Sequence, residues 1–203
     1  MSAIDNLLFD LDGTLTDPEA GIIGCFRVAR DSLGDDDVMP DPGIVIGPPL
    51  RDSFRDLLTD PGDDRVEAAV RLYQKQFSES GMYDNVAYPE IPQTLTALGE
   101  HSRLFVVTSK PTHFSEQILD HFGLLANFEV VYGSRPDGRH ADKAGLIADA
   151  IANESLHPGR TIMIGDRNLD IRGAAANGVA SIGVLWGFGD RAEHEAAGAT
   201  HIC

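Results

Sequence analysis

Asp10 and Asp12 stand two residues apart where the apolar run NLLF meets DLDGTL. A buried carboxylate is costly unless it is paired, hydrogen-bonded or put to use. Two other apolar runs end in the same manner. RLFVVTSK leads into Thr108, Ser109 and Lys110, and RTIMIGDRNLD leads into Asp166, with Asp170 four residues further on. Asp10, Asp12, Asp166 and Asp170 make a set of hard oxygen donors of the type that suits Mg²⁺. Left alone these charges repel one another, so a divalent cation is expected among them. Lys143 and Lys110 are the natural counter-charges, and an ammonium is also a compact point charge for phosphate.

Such residues must be delivered to one place by the elements that carry them. Five short apolar segments read as strands, at residues 6–11, 103–109, 128–133, 160–166 and 180–186. They are continuous apolar runs rather than alternating ones, the pattern of a parallel sheet covered on both faces. Helical spacing lies between the later ones. Phe114, Ile118, Leu119 and Phe122 share one face before Gly123, and Ala144, Ile147, Ala150 and Ile151 share another. Strand alternating with helix predicts an α/β fold. In such sheets ligands bind beyond the carboxyl ends of the strands, where Asp10 to Thr14, Thr108, Ser109 and Asp166 would all lie.

The first strand is followed by a long interruption. Ile22, Phe26, Ala29 and Leu33 repeat at helical spacing, as do Val66, Ala69, Val70, Tyr73 and Phe77. A Pro/Gly/Asp-rich stretch separates the two, and LRDSFRDLL predicts a further helix. The expected organisation is an α/β core of residues 1–15 and 81–203, with an all-helical insert at 16–80.

Apolar residues make up 42% of the 203, enough for a sizeable core. Formal net charge is −16, from 32 acidic and 16 basic residues, which repels nucleic-acid backbones but not a small anion drawn in by a bound cation. Cys25 and Cys203 make no disulfide framework. No run of apolar residues is long enough to span a membrane. The expectation is a cytoplasmic protein, monomer or homodimer, acting on a small soluble partner. Trp186 and Phe188 read as packing residues.

NLLFDLDGTL, FVVTSKP, Lys143 and MIGDRNLD resemble, in that order, the motifs of the haloacid dehalogenase-like hydrolases, and the resemblance covers nearly the whole chain. GVLWGFGDRAEHEAAGAT and IGPPLRDSF resemble the phosphoglycolate phosphatase-like group, and IGPPLRDSF also resembles relatives called nucleotidases. The resemblance implies a Rossmann-like core with a helical cap inserted after the first strand. It implies a Mg²⁺-dependent phosphomonoesterase acting on a small phosphorylated metabolite, either phosphoglycolate or a nucleoside monophosphate. A pyrophosphatase, a phosphosugar mutase or a non-catalytic module of the same fold are the other readings.

By the same resemblance Asp10 matches the nucleophile that forms an aspartyl-phosphate, and Asp12 the general acid/base. Thr108 matches the hydroxyl that holds the phosphoryl group, and Lys143 the lysine that neutralises it. Lys143 is preferred to Arg135 because it opens the helix after the third core strand. Asp10, the backbone carbonyl of Asp12, Asp166 and Asp170 would hold Mg²⁺. Gly13, Thr14, Ser109 and Lys110 would border the phosphate. Arg51, in the insert, reads either as a group that reaches a carboxylate or second anion on the leaving group or as a surface salt-bridge residue.

Overall fold

In a computed structural model of the chain, residues 4–35, 46, 50–134 and 142–203 are described. Two compact units emerge, Met1–Asp17 with Ala87–Cys203, and Pro18–Val86.

The first unit is built on a six-stranded sheet in which every pairing is parallel. Its strands are β1 (Asn6–Phe9), β4 (Arg103–Pro111), β5 (Val130–Ser134), β6 (Thr161–Gly165), β7 (Ala180–Gly183) and β8 (His201–Ile202), in the order β5-β4-β1-β6-β7-β8. Two short strands, β2 (Thr16–Asp17) and β3 (Val86–Ala87), pair separately. The chain runs from β1 outward through β4 and β5, then crosses to β6 on the other side of β1. That reversal puts the carboxyl end of β1, and hence Asp10, at the topological switch point of the sheet. All four residues of β1 are buried, as the continuous apolar run requires.

Among its described residues the helical insert has three helices, α1 (Glu19–Asp31), α2 (Leu50–Leu57) and α3 (Asp63–Glu79). Phe26, Phe54, Tyr73 and Phe77 join them, with Phe26 centred 4.8 Å from Phe54 and 4.9 Å from Tyr73. Phe26 and Phe54 are almost fully buried, each worth about 1.5–3 kcal/mol relative to exposure. The boundary expected at residue 80 moves to 86. Gly21 at the start of α1 donates its N–H to the Asp84 carbonyl at 2.9 Å, and Met82 is buried, so 81–86 packs with the helices.

The core unit's helices are α4 (Ile91–Gly99), α5 (Thr112–His121), α6 (Lys143–Asn153), α7 (Asn168–Ala176) and α8 (Arg191–Ala197). Leu146, Ile147 and Ala150 of α6 and Ala174 of α7 pack on Leu8, Phe105, Val107 and Met163 of the sheet. Of the periodic face expected for 144–151, Ile147 and Ala150 dock fully and Ile151 in part, while Leu146 joins them and Ala144 lies outside this cluster. Two strand expectations change. The segment 180–186 leaves the sheet at Gly183, because Leu185 and Trp186 turn out toward solvent, and β8 adds an edge strand with no apolar signature.

Candidate active site

Strand ends and helix starts bring the predicted residues together at the carboxyl edge of the sheet. Asp10 follows β1, and its Oδ1 accepts the backbone N–H of Leu11 at 2.7 Å. Lys143 is the first residue of α6, a position set by Asp142, whose Oδ1 caps the helix by accepting the Gly145 N–H at 2.7 Å. A lysine at a helix N-terminus opposes the dipole, so it needs compensation. It finds it in carboxylates: Lys143 Nζ lies 2.9 Å from Asp10 Oδ2 and 2.7 Å from Asp170 Oδ1. Nζ also donates to the Val107 carbonyl at 3.0 Å. Burial alone would lower the Lys143 pKa, but the Asp10 and Asp170 charges outweigh it and raise it, so the ammonium stays charged. Arg135, the other candidate for this role, lies outside the described residues.

Asp170 sits in the first turn of α7, where its Oδ2 accepts the Arg167 N–H at 3.1 Å. Asp166 follows β6, accepting the Phe188 N–H at 2.8 Å and, more loosely, the Thr14 hydroxyl at 3.5 Å. Carboxylate oxygens of Asp10, Asp166 and Asp170 all lie within 4.8 Å of one another. Burial first, then repulsion from Asp10 and Asp170, pushes the Asp166 carboxyl up to about 8. Burial likewise raises Asp170 to about 6 despite the nearby Lys143. One half-buried and two buried carboxylates beside a single ammonium make a hard-oxygen set with excess negative charge, which fits a divalent cation such as Mg²⁺. Asp10, Asp166 and Asp170 would hold it.

The Asp12 carboxylate stands apart from this oxygen cluster. Its Oδ2 is 2.8 Å from Lys110 Nζ, while its Oδ1 is buried with no hydrogen-bond partner. Burial raises the Asp12 pKa, with Lys110 pulling the other way. Thr108 is buried at the end of the regular part of β4, and its hydroxyl accepts the Lys110 N–H at 3.3 Å. Ser109 is half-buried beside it. Gly13 has φ +78°, and any Cβ there would run into the Asp166 carboxylate, so only glycine allows this approach.

Arg51 belongs to the helical insert. Its guanidinium forms a two-pronged pair with Glu67, at 2.6 and 3.2 Å, on an exposed surface. The guanidinium fork expected to meet a substrate carboxylate is thus occupied by Glu67.

Sequence reasoning missed the loop 184–190. Phe188 supplies the N–H that holds Asp166, and Trp186 donates its indole N–H to the Thr14 carbonyl at 3.1 Å. A Cβ at Gly187 would collide with the Gly13 carbonyl and Asp166, so the loop lies directly against the site. The GFG glycines were the available signal. Read as packing, Trp186 in fact hydrogen-bonds the turn after β1.

The family model for haloacid dehalogenase-like hydrolases matches residues 7–184. The chain belongs to this family. A 5'-nucleotidase of Pseudomonas aeruginosa is 42% identical over 98% of this chain and 90% of its own. The tyrosine-protein kinase PtkA of Mycobacterium tuberculosis is 35% identical over 90% of this chain, which spans only 62% of that longer protein. The crystal structure of a predicted phosphatase from Clostridium acetobutylicum superposes with a TM-score of 0.90 at 37% identity, covering 99% of this chain and 94% of that one. Among the described residues no helix is long and apolar enough to cross a membrane.

Proposed function

We propose that this haloacid dehalogenase-like phosphatase is a Mg²⁺-dependent phosphomonoesterase that works through an aspartyl-phosphate on Asp10. The observation that carries the reading is the division of labour among four carboxylates. Three gather within 4.8 Å beside Lys143, and the fourth, Asp12, keeps one buried oxygen without a hydrogen-bond partner.

Each residue then has a chemical task. Asp10 supplies the attacking oxygen, and in-line placement compensates for the weak nucleophilicity of a carboxylate. Lys143, held charged between Asp10 and Asp170, neutralises charge on the phosphoryl oxygens. Asp12 gives a proton to the departing alcohol and takes one from the water that cleaves the acyl phosphate. The Thr108 hydroxyl, with Gly13, Thr14 and Ser109, borders the phosphoryl group. When bound, Mg²⁺ adds charge compensation at the phosphate. No residue of this set reads the leaving group, so a small phosphorylated metabolite is the substrate class.

Two substrates lead. A nucleoside 5′-monophosphate is favoured by the close similarity to the Pseudomonas 5'-nucleotidase. Phosphoglycolate rests on the resemblance of GVLWGFGDRAEHEAAGAT, and its case is weakened because Glu67 holds Arg51. Phosphate release from nucleoside monophosphates, phosphoglycolate and p-nitrophenyl phosphate, with and without Mg²⁺, tests the reading. The expected result is Mg²⁺-dependent release, fastest from a nucleoside monophosphate. Asp10→Asn should lower it by about three orders of magnitude or more with an unchanged circular dichroism spectrum. Near-normal turnover by Asp10→Asn would rule out covalent catalysis through that residue.

A further inference from the structure

Lys110 lies in an irregular part of β4. Val107 pairs with Tyr132 of β5 and Pro111 with Ser134, so four residue steps on one strand face two on the other. Thr108, Ser109 and Lys110 occupy the excess. An irregularity of this kind bends a strand and re-aims its side chains, and such features concentrate beside active sites. The bend is tightly packed: a Cβ at Gly133 would strike the Lys110 carbonyl and the Thr112 backbone, so β5 approaches as only glycine permits. The Lys110 N–H is tied to the Thr108 hydroxyl at 3.3 Å.

This geometry turns the Lys110 side chain inward. It is only 7% exposed, and Nζ sits 2.8 Å from Asp12 Oδ2. Asp12 Oδ1 is buried with no hydrogen-bond partner, and the Asp12 carboxylate takes no part in the Asp10–Asp166–Asp170 oxygen cluster. One oxygen of Asp12 is therefore held by Lys110, and the other is buried with no hydrogen-bond partner.

We infer that Lys110 is the positioning residue for Asp12, anchoring Oδ2 and so fixing the carboxyl group that serves the leaving group. The inference rests on the phosphomonoesterase reading and adds to it. In the first step the Asp10 oxygen bonds to phosphorus as the bond from phosphorus to the ester oxygen breaks. The electron pair of that bond stays on the ester oxygen, which takes the proton from the Asp12 carboxyl group. Lys110 transfers nothing in this step. Its partner charge also keeps Asp12 from rotating toward the metal-binding carboxylates. A carboxylate fixed through one oxygen loses little freedom in reaching the proton-transfer geometry.

The consequence depends on the leaving group, because poor leaving groups need the proton and good ones do not. Lys110→Met and Lys110→Gln are compared with the wild type on phenyl phosphates of rising leaving-group pKa and on an alkyl phosphate, in saturating Mg²⁺. The measured quantity is kcat/KM, which reports steps up to departure of the leaving group. Both variants should lose about 100-fold on the alkyl phosphate, the lower range of general acid catalysis, and much less on p-nitrophenyl phosphate. The plot of kcat/KM against leaving-group pKa should steepen. Lys110→Arg should recover part of the alkyl loss. Mg²⁺ affinity measured by calorimetry should be unchanged.

Equal losses on every substrate would mean that Lys110 serves the phosphoryl group itself, and would overturn the inference. Weakened Mg²⁺ binding, or loss of the fold in both variants, would overturn it as well. If the wild type releases no phosphate from any of these esters, the phosphomonoesterase reading itself has failed, an outcome distinct from parallel plots.

Discussion

The molecule buries charge in two places, and it does so in opposite ways. In the helical insert, Asp35 is surrounded by donors: Arg30 and Arg65 at 3.1 Å each, and the N–H and hydroxyl of Thr59 at 3.0 Å each. Burial would raise its pKa, but these donors together bring it down to about 2. At the sheet edge three carboxylates gather, Lys143 pairs with Asp10 and Asp170, and Asp166 goes up to about 8. Among the described residues the first cluster sets two guanidinium groups on one carboxylate, and both carboxylate oxygens are used. The second gathers three carboxylates and carries surplus negative charge. A closed network holds a structure together, whereas an open one stores electrostatic cost until a ligand relieves it. The insert network is a lock, and the sheet-edge network is a site.

Removing a carboxylate from each should have opposite effects on stability, and this is the largest effect that could break the comparison. Asp35→Asn leaves the Arg30 guanidinium buried without its ion partner, and should cost about 3 kcal/mol or more in urea denaturation. Asp166→Asn keeps the volume and removes one of the repelling charges, so the metal-free chain should be as stable as the wild type or more so at pH 8. Phosphate release should nonetheless fall by about 100-fold or more, through loss of a metal ligand. If Asp166→Asn destabilised as much as Asp35→Asn, the sheet-edge cluster would be a lock too.

The pH dependence sharpens the contrast. The Asp35 pKa is depressed, so its stabilisation is present above about 4 and is lost as pH falls toward 2. Asp166 is raised, so between about 4 and 8 the folded chain holds a proton that the unfolded chain has released. Its contribution makes the metal-free protein less stable as pH rises through that window. On the proposed Mg²⁺ reading the cation would compete with that proton, and should raise the melting temperature more at pH 8 than at pH 6. An equal gain at both values would mean that the cation does not bind where Asp166 titrates.

The smallest effect belongs to Arg51. Its exposed pair with Glu67 should contribute under about 1 kcal/mol, so Arg51→Ala should barely move the denaturation midpoint. With the guanidinium held by Glu67, kcat/KM for phosphoglycolate should change by less than about threefold, under 0.7 kcal/mol of transition-state stabilisation. A tenfold loss on phosphoglycolate, with p-nitrophenyl phosphate unaffected, would show that Arg51 leaves Glu67 for a substrate carboxylate.

Much of this protein is legible in local pattern. Continuous apolar runs mark β1, β4 and β6, and helical spacing marks α1, α3, α5 and α6, because burial on a strand or a helix face imposes a period on neighbouring residues. A carboxylate or hydroxyl at the end of such a run must emerge at the strand's carboxyl edge, so Asp10, Asp12, Thr108 and Asp166 could be assigned to one edge from sequence. Which cation meets which carboxylate is a different kind of question. Lys143 spans Asp10 and Asp170, and Lys110 takes Asp12, because β4 lies beside β1 and bends after Val107. Arg51 finds Glu67 across the packing of α2 on α3. The loop 184–190 reaches Thr14 and Asp166 only once β6 and β7 are paired. Residues 81–86 side with the helices because Gly21, lacking a Cβ, lets them approach closely and donates its N–H to the Asp84 carbonyl. Those partnerships join residues up to 172 positions apart, and no period in the chain records them. Strand order and backbone irregularity decided them.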